Sequence, residues 1–372
     1  MASWLLAQTV LETTTLCFIG LTALIGNVSL YIIVYKDKDL RTVTNLFILN
    51  LAAADIMVSI FSIPFTLATI ITQDWVFGET ACVVLGFFTI LSFIGSVMSL
   101  GMIAINRYFY IVRWNTYSKI FPWRKAFLFA AAVWVVALSL AAPPLLGWAE
   151  YRFIPGKSYC FVYWPSDVYY MYFMITVCFF GPLSVMTFSY YNILRFTKNL
   201  KRRIALSRSN LSIQVQNPAH LNSASTESKA GGRSDPGIVE SNFHTVKRSE
   251  TDERGVGDSK SKTKLKSTAF QVTPEETRIT NTFIFVVTLF VICWAPFAMT
   301  MFFDVYYSKP LPRALDMASL ILGYLNSMCN PVLYGLRNLA FKRGFLNLYA
   351  RFLPGRFTAT KYNVTQPETS GS

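Results

Sequence analysis

Seven stretches of the chain keep charged side chains out for the length of a bilayer. They run over Thr13–Tyr35, Thr42–Ile71, Ala81–Val112, Ala126–Trp148, Tyr169–Phe196, Thr277–Tyr307 and Ala314–Leu336. A hydrocarbon core needs about 20 mostly apolar residues in a helix, and from Val83 to Ile105 there is no charged side chain. Soluble domains rarely stack seven such segments. The first stretch has no basic run before it and no A-x-A site after it, so it reads as a span rather than a cleaved signal peptide. The expected fold class is an all-α membrane protein, a seven-transmembrane helix bundle. After the last span, Leu339–Leu353 interleaves Phe341, Phe345, Leu346 and Leu348 with Lys342, Arg343 and Arg351, the pattern of a short amphipathic helix on a membrane surface. No internal repeat supports a paired-half transporter.

The same pattern divides the chain. Residues 1–12 form an extracellular N-terminus, 13–196 the first five spans, and 197–276 a polar insert. Residues 277–336 hold the last two spans, 337–353 the amphipathic helix and 354–372 a tail. The insert is rich in Ser, Thr, Lys, Arg and Gly. It cannot bury enough apolar surface to offset chain entropy, so most of it is expected to be disordered, with its ends extending the fifth and sixth helices.

Composition sharpens the picture. Apolar residues make up 53% of the chain and charged ones 15%, with a net charge of +14. Only Arg152, Lys157, Lys309 and Arg313 fall on one side of the spans; the other 30 of the 34 basic residues fall on the opposite side. The positive-inside rule makes that side cytoplasmic and the N-terminus extracellular. The basic excess therefore belongs to membrane lipids and cytoplasmic partners rather than to nucleic acid. His220 and His244 both lie in the polar insert, which argues against a buried histidine-based catalytic or zinc site. Six cysteines without CxxC spacing argue against zinc ribbons and thioredoxin-type centres. An enzyme is not expected.

Polar groups inside spans are the informative ones, because each needs a partner or a task. They include Asn27, Asn50, Asp55, Ser92, Ser96, Asn106, Arg107, Trp134, Tyr190, Trp294, Asn326, Ser327, Asn330 and Tyr334, with Pro182, Pro296 and Pro331 as kink-permitting prolines. In order they spell Gly26-Asn27-Val28, Leu51-Ala52-Ala53-Ala54-Asp55, Asn106-Arg107-Tyr108, Phe290-x-x-x-Cys293-Trp294-Ala295-Pro296 and Asn330-Pro331-Val332-Leu333-Tyr334, with Trp75-x-Phe77-Gly78 between spans. Over nearly the whole chain, apart from insert and tail, the sequence resembles the rhodopsin-like (class A) G-protein-coupled receptors. Ala104–Tyr108 and Cys293–Pro296 are similar to the melatonin-receptor branch and related orphans, although that branch usually carries Asn-Ala where this chain has Asn330-Pro331.

The resemblance implies a set of roles. Cys82 and Cys160 would form a disulfide on the oxidising side; Cys17, Cys178, Cys293 and Cys329 lie within spans and pack. Asp55 with Ser92, Ser96, Asn326, Ser327 and Asn330 would hold a sodium ion as an allosteric modulator, since oxygen ligands suit a hard cation. No other cofactor is implied. The activation switch would comprise Asn106, Arg107, Tyr108, Tyr190, Tyr334, Val97, Pro182, Phe290, Trp294, Pro296 and Pro331. The family's usual acid before the arginine is replaced by Asn106, which leaves Glu276 as the expected carboxylate partner of Arg107. Implied partners are a heterotrimeric G protein, kinases and arrestin acting at tail residues such as Thr358, Thr360, Thr365, Thr369, Ser370 and Ser372, and a small ligand at the plasma membrane.

Positions matching the family's ligand pocket are Thr89, Ile90, Phe93, Phe161, Met174, Ile175, Cys178, Trp294, Phe297, Ala298, Met301, Leu320 and Tyr324. The wall is apolar and aromatic, which points to a neutral, lipophilic ligand. Opsins carry a retinal-binding lysine where this chain has Tyr324, and amine receptors an acid where it has Thr89, so the usual chemistry of both is disfavoured. A seven-span transporter or channel is the alternative, but Asp55 alone lies mid-membrane where several charges along a path would be expected. An opsin relative without the retinal linkage is a more remote one.

Overall fold

The computed structural model describes residues 2–216, 273–307 and 309–350. The interior of the polar insert and the tail, with its serines and threonines, lie outside the described residues. Helix α1 spans Ala2–Lys36. The second rod is α2 (Val43–Met57) and α3 (Ile63–Thr72), joined through a π-turn at Val58–Ser62. Next come α4 (Glu79–Ile111), the short α5 (Trp114–Ile120) and α6 (Trp123–Ala141). A hairpin of β1 (Tyr151–Ile154) and β2 (Tyr159–Val162) follows, paired antiparallel with Phe153 opposite Cys160. The fifth rod is α7 (Val168–Met174) and α8 (Gly181–Gln216), joined by a π-turn at Ile175–Phe180. The last helices are α9 (Pro274–Tyr306), α10 (Arg313–Arg337) and α11 (Leu339–Tyr349).

Local chemistry sets many of the ends. Thr42 caps α2 by accepting from the Asn45 amide at 3.3 Å, and Asp167 caps α7 by accepting from the Tyr170 amide at 2.7 Å. Thr273 and Glu276 close a reciprocal capping box at the start of α9. Asn338 stops α10 and starts α11, its side chain accepting from the Ala340 and Phe341 amides. The π-turns precede Pro64 and Pro182, where the missing proline N–H and the ring's bulk disturb the regular ladder. The sequence reading did not anticipate them, and it began the first span at Thr13. In fact α1 is one helix from Ala2, because Ala2–Glu12 contains neither Pro nor Gly to break it.

Among the described residues, six rods are long and apolar enough to cross a membrane. The seventh, α10, has 25 residues, length enough to span, but its inward face is polar: Asn326, Ser327 and Asn330 are buried there. Large apolar side chains cover the outside of the bundle, including Phe18, Leu128, Phe188 and Met299, the surface that lipid rather than water would cover. The core forms two apolar clusters, one toward the hairpin end and one toward Arg107, and Trp294 packs against both.

Two close approaches fix how α1 sits. Gly26 lies so near α10 that a Cβ there would fall 2.6 Å from the Pro331 ring, and Ser29 meets the Tyr349 hydroxyl of α11 at 2.6 Å. A rigid ring cannot yield like a flexible chain end. Gly26→Ala should therefore destabilise the fold by about 1–3 kcal/mol through overpacking, visible as a lowered melting temperature of the detergent-solubilised protein; an unchanged melting temperature would refute the contact.

Candidate functional site

The hairpin end holds an aromatic cavity. It is lined by Ile90, Phe93, Phe161, Met174, Ile175, Cys178, Trp294, Phe297, Ala298 and Met301, all ten of them expected from the sequence. It encloses about 90 Å³. Ile94, Val97, Trp164, Phe179 and Phe290 line it as well. Of these, the sequence reading had placed Val97 and Phe290 only in the switch and had left out Ile94, Trp164 and Phe179.

Thr89, Leu320 and Tyr324 do not line this cavity, which corrects the expectation. The Tyr324 hydroxyl meets Ser62 at 2.6 Å and Thr66 at 3.2 Å, and the Thr89 hydroxyl donates to the Leu85 carbonyl at 2.8 Å and to Ser62 at 3.2 Å. These groups are drawn into a buried hydroxyl cluster between α3, α4 and α10, because a hydroxyl in an apolar bundle follows its hydrogen bonds. Leu320 packs in the core beside them.

The hairpin closes the cavity. Cys82 at the start of α4 is bonded to Cys160 of β2, and all four β2 residues are buried. Burial pushes the Tyr159 and Tyr151 phenols above their ordinary range. Lys157, at the hairpin turn, is 2% exposed and donates to Asp304 at 2.6 Å, with Asp316 at 3.3 Å. Arg313 donates to the Pro155 carbonyl at 3.2 Å and to Glu12 at 3.0 Å. None of these ties was read from the sequence. Their signal was there: a lysine and an arginine on the side with few basic residues, and acids at both ends of the link between α9 and α10.

Midway along the bundle, Asp55 is fully buried and accepts from Asn330 at 2.8 Å. Its other oxygen and the Ser96 hydroxyl have no hydrogen-bond partner among the described residues. Orphaned oxygens beside a buried carboxylate fit a small hard cation. Ser327 lies next to the carboxylate, and its carbonyl accepts from Asn27 at 3.1 Å. Asn326 is buried in the same face of α10. Ser92 uses its hydroxyl on the Phe88 carbonyl at 2.6 Å and is already satisfied.

At the opposite end, Arg107 is 4% exposed, and two of its guanidinium nitrogens have no hydrogen-bond partner among the described residues. Its guanidinium lies 5.0 Å from the Tyr110 ring centre. Tyr190 and Tyr334 are buried nearby in the core cluster, the Tyr334 hydroxyl also unpartnered. The Asn106 side-chain amide is engaged elsewhere. It accepts from Thr44 at 2.9 Å and donates to Tyr117 at 3.2 Å, joining α2, α4 and α5. The expected pair of Arg107 with Glu276 is not formed either: Glu276 accepts from the Thr273 amide at 2.9 Å in its capping box. The Glu276 carboxylate nevertheless lies within reach of the Tyr110 hydroxyl and attracts the Arg107 charge, so it stays close to the arginine without a direct ion pair. Tyr108 is half-buried against the core, its ring 5.9 Å from Phe188.

The family described as "7 transmembrane receptor (rhodopsin family)" matches residues 26–334. The chain belongs to that family. This is a family of receptors, not of enzymes, and the protein is a multi-pass membrane receptor. The receptor is 32% identical over 333 residues to the mouse alpha-1D adrenergic receptor, covering 88% of this chain and 55% of the relative, so it spans about half that protein's length. It is 26% identical to the zebrafish melatonin receptor type 1B-B over 92% of the chain and 83% of the relative. Squid rhodopsin shares the fold at a TM-score of 0.68 with 22% identity, covering 93% of this chain and 87% of that one.

Peptide mapping without reductant should recover Cys82 and Cys160 in one cross-linked peptide, while Cys17, Cys178, Cys293 and Cys329 remain free. Alkylation of Cys82 and Cys160 in the folded receptor would refute this arrangement.

Proposed function

We propose that the receptor transmits occupancy of its aromatic cavity to a heterotrimeric G protein docking at the Arg107 end. The cavity end would face outward and the Arg107 end the cytoplasm, at the plasma membrane, in keeping with the charge asymmetry of the loops. One observation carries the reading. A line of touching rings descends from the cavity, Phe93 to Trp294 at 4.5 Å and Trp294 to Phe290 at 6.2 Å, into the core cluster that holds Tyr190 and Tyr334 beside Arg107. Buried guanidinium donors without partners are costly, so an acceptor supplied by a docked protein would be selected there.

The transition itself needs only a difference in affinity between two packings. Pro296 inside α9 and Pro331 inside α10 remove backbone hydrogen bonds where those helices meet Trp294 and Gly26. An outward swing of α9 below Pro296 would free Arg107, Tyr190 and Tyr334 to receive the G protein, with Val97, Pro182 and Phe290 repacking between. A sodium ion held by Asp55, Ser96, Ser327 and Asn330 would supply charge neutralisation in the resting state. A neutral, lipophilic ligand suits the apolar wall, whose carboxylate-free α4 face is unlike an ammonium site. Kinases and arrestin would act on the tail, and membrane lipids would surround the bundle and carry α11.

Two measurements test this. Cells expressing the receptor with a panel of G-protein dissociation sensors, first alone and then with lipid and indole libraries, should show activation of at least one subtype; silence throughout would refute the coupling. Replacing choline by sodium should lower the basal signal of the wild type and leave Asp55→Asn unchanged. Equal sodium sensitivity in both would remove the ion from the mechanism.

A further inference from the structure

The cavity is too small for the ligands such cavities hold. Pockets for drug-sized molecules measure about 300–1,000 Å³, and this one encloses about 90 Å³. The missing space is filled by the chain itself. Phe161 of β2 is 2% exposed, its ring 5.7 Å from Phe93 and 5.8 Å from Phe297, and both of those rings touch Trp294. Tyr159 stacks on Phe161 at 5.1 Å from above. Phe161 thus stands at the head of the same line of rings that descends to Phe290.

The hairpin is held in that position at four places. Cys160 is bonded to α4, and Lys157 reaches Asp304 of α9 and Asp316 of α10 together. Arg313 binds the Pro155 carbonyl and, through Glu12, links the turn to α1. A buried ammonium spanning two carboxylates thus holds the hairpin whose Phe161 packs against the rings lining the cavity.

We propose that the resident ligand of the cavity is the receptor's own hairpin, with Phe161 as the inserted group and the Lys157–Asp304–Asp316 cluster as the latch that retains it. This rests on the reading of the cavity as the signalling site. It makes the receptor self-liganded: removing Phe161 or releasing Lys157 alters the output in the absence of any added compound. A diffusible ligand, if one acts, is an aromatic or lipophilic molecule that takes the place of the Phe161 ring once the latch opens.

The test uses the full-length receptor, with Cys178 as reporter, since it lines the cavity as a free thiol. Its reaction with N-ethylmaleimide in detergent is followed by mass spectrometry of the Cys178 peptide. Slow labelling is expected for the wild type, and labelling at least tenfold faster for Lys157→Gln and Phe161→Ala. Toluene, filling a ring-sized void, should slow Phe161→Ala and leave the wild type unchanged. If Phe161→Ala does not fold, Phe161→Leu and Asp304→Asn provide the same comparison. Equal labelling rates in wild type and variants overturn the plug. In cells, at matched surface expression, the basal sensor signal of Phe161→Ala should fall at least threefold. Faster labelling with an unchanged basal signal overturns the self-ligand while keeping the loop as a lid. No sensor signal from any form, wild type included, counts against the G-protein reading, and the labelling rates then decide the plug alone.

Discussion

A carboxylate fully buried in an apolar bundle must be held by its neighbours, and the bundle is organised around that requirement. Asp55 draws Asn330 of α10 to α2, and Asn27 of α1 reaches the Ser327 carbonyl one turn away. On the other side of α2, Asn50 donates to Ser99 of α4 at 3.0 Å and accepts from the Trp134 indole of α6 at 2.8 Å. Three helices are thus joined directly to the second rod, and α1 to α10 beside it, by polar contacts inside an apolar medium, where each group has few alternatives. The apolar packing around them supplies much of the cohesion, but these bonds define the register. Sliding one helix by a turn would leave several buried groups unpaired at once.

That polar layer also separates two regions of different character. On the hairpin side, rings and sulfur-bearing side chains surround a small cavity; on the other, a buried arginine and Tyr334 have hydrogen-bonding capacity to spare among the described residues. Trp294 belongs to both regions, and its indole N–H has no hydrogen-bond partner among the described residues. A side chain with unspent bonding capacity and contacts on both sides is well placed to take up either of two arrangements at little difference in free energy.

Much of this was legible in the sequence, for a physical reason. Length and hydropathy mark helices in a bilayer more reliably than anything marks a soluble fold, because every backbone group must be satisfied within its own segment. The apolar wall could be read position by position because the family resemblance places Ile90, Phe93, Met174 and Phe297 in the ligand pocket, and all four line the cavity. Thr89 and Tyr324 were misplaced because hydroxyls choose partners on other helices, here Ser62 and Thr66, which no periodicity encodes. Glu276 was expected to pair directly with Arg107; it caps its own helix at the Thr273 amide and meets the arginine only through its charge and through Tyr110. The disulfide over the pocket and Phe161 were expected, but the strands were not, because four residues each give little alternation to read; nor were the ion pairs, whose partners lie about 150 positions away.

The covalent bond between Cys82 and Cys160 has a consequence in mass action. A group tethered beside its own binding site acts at an effective concentration that, for short flexible connections, is on the order of millimolar. Dilution, clearance or a failing supply cannot lower it. Any free molecule that enters the cavity competes against a side chain whose local abundance is constant for the lifetime of the protein. Its apparent affinity is therefore weaker than its contacts alone would give, by the factor that the tethered ring imposes.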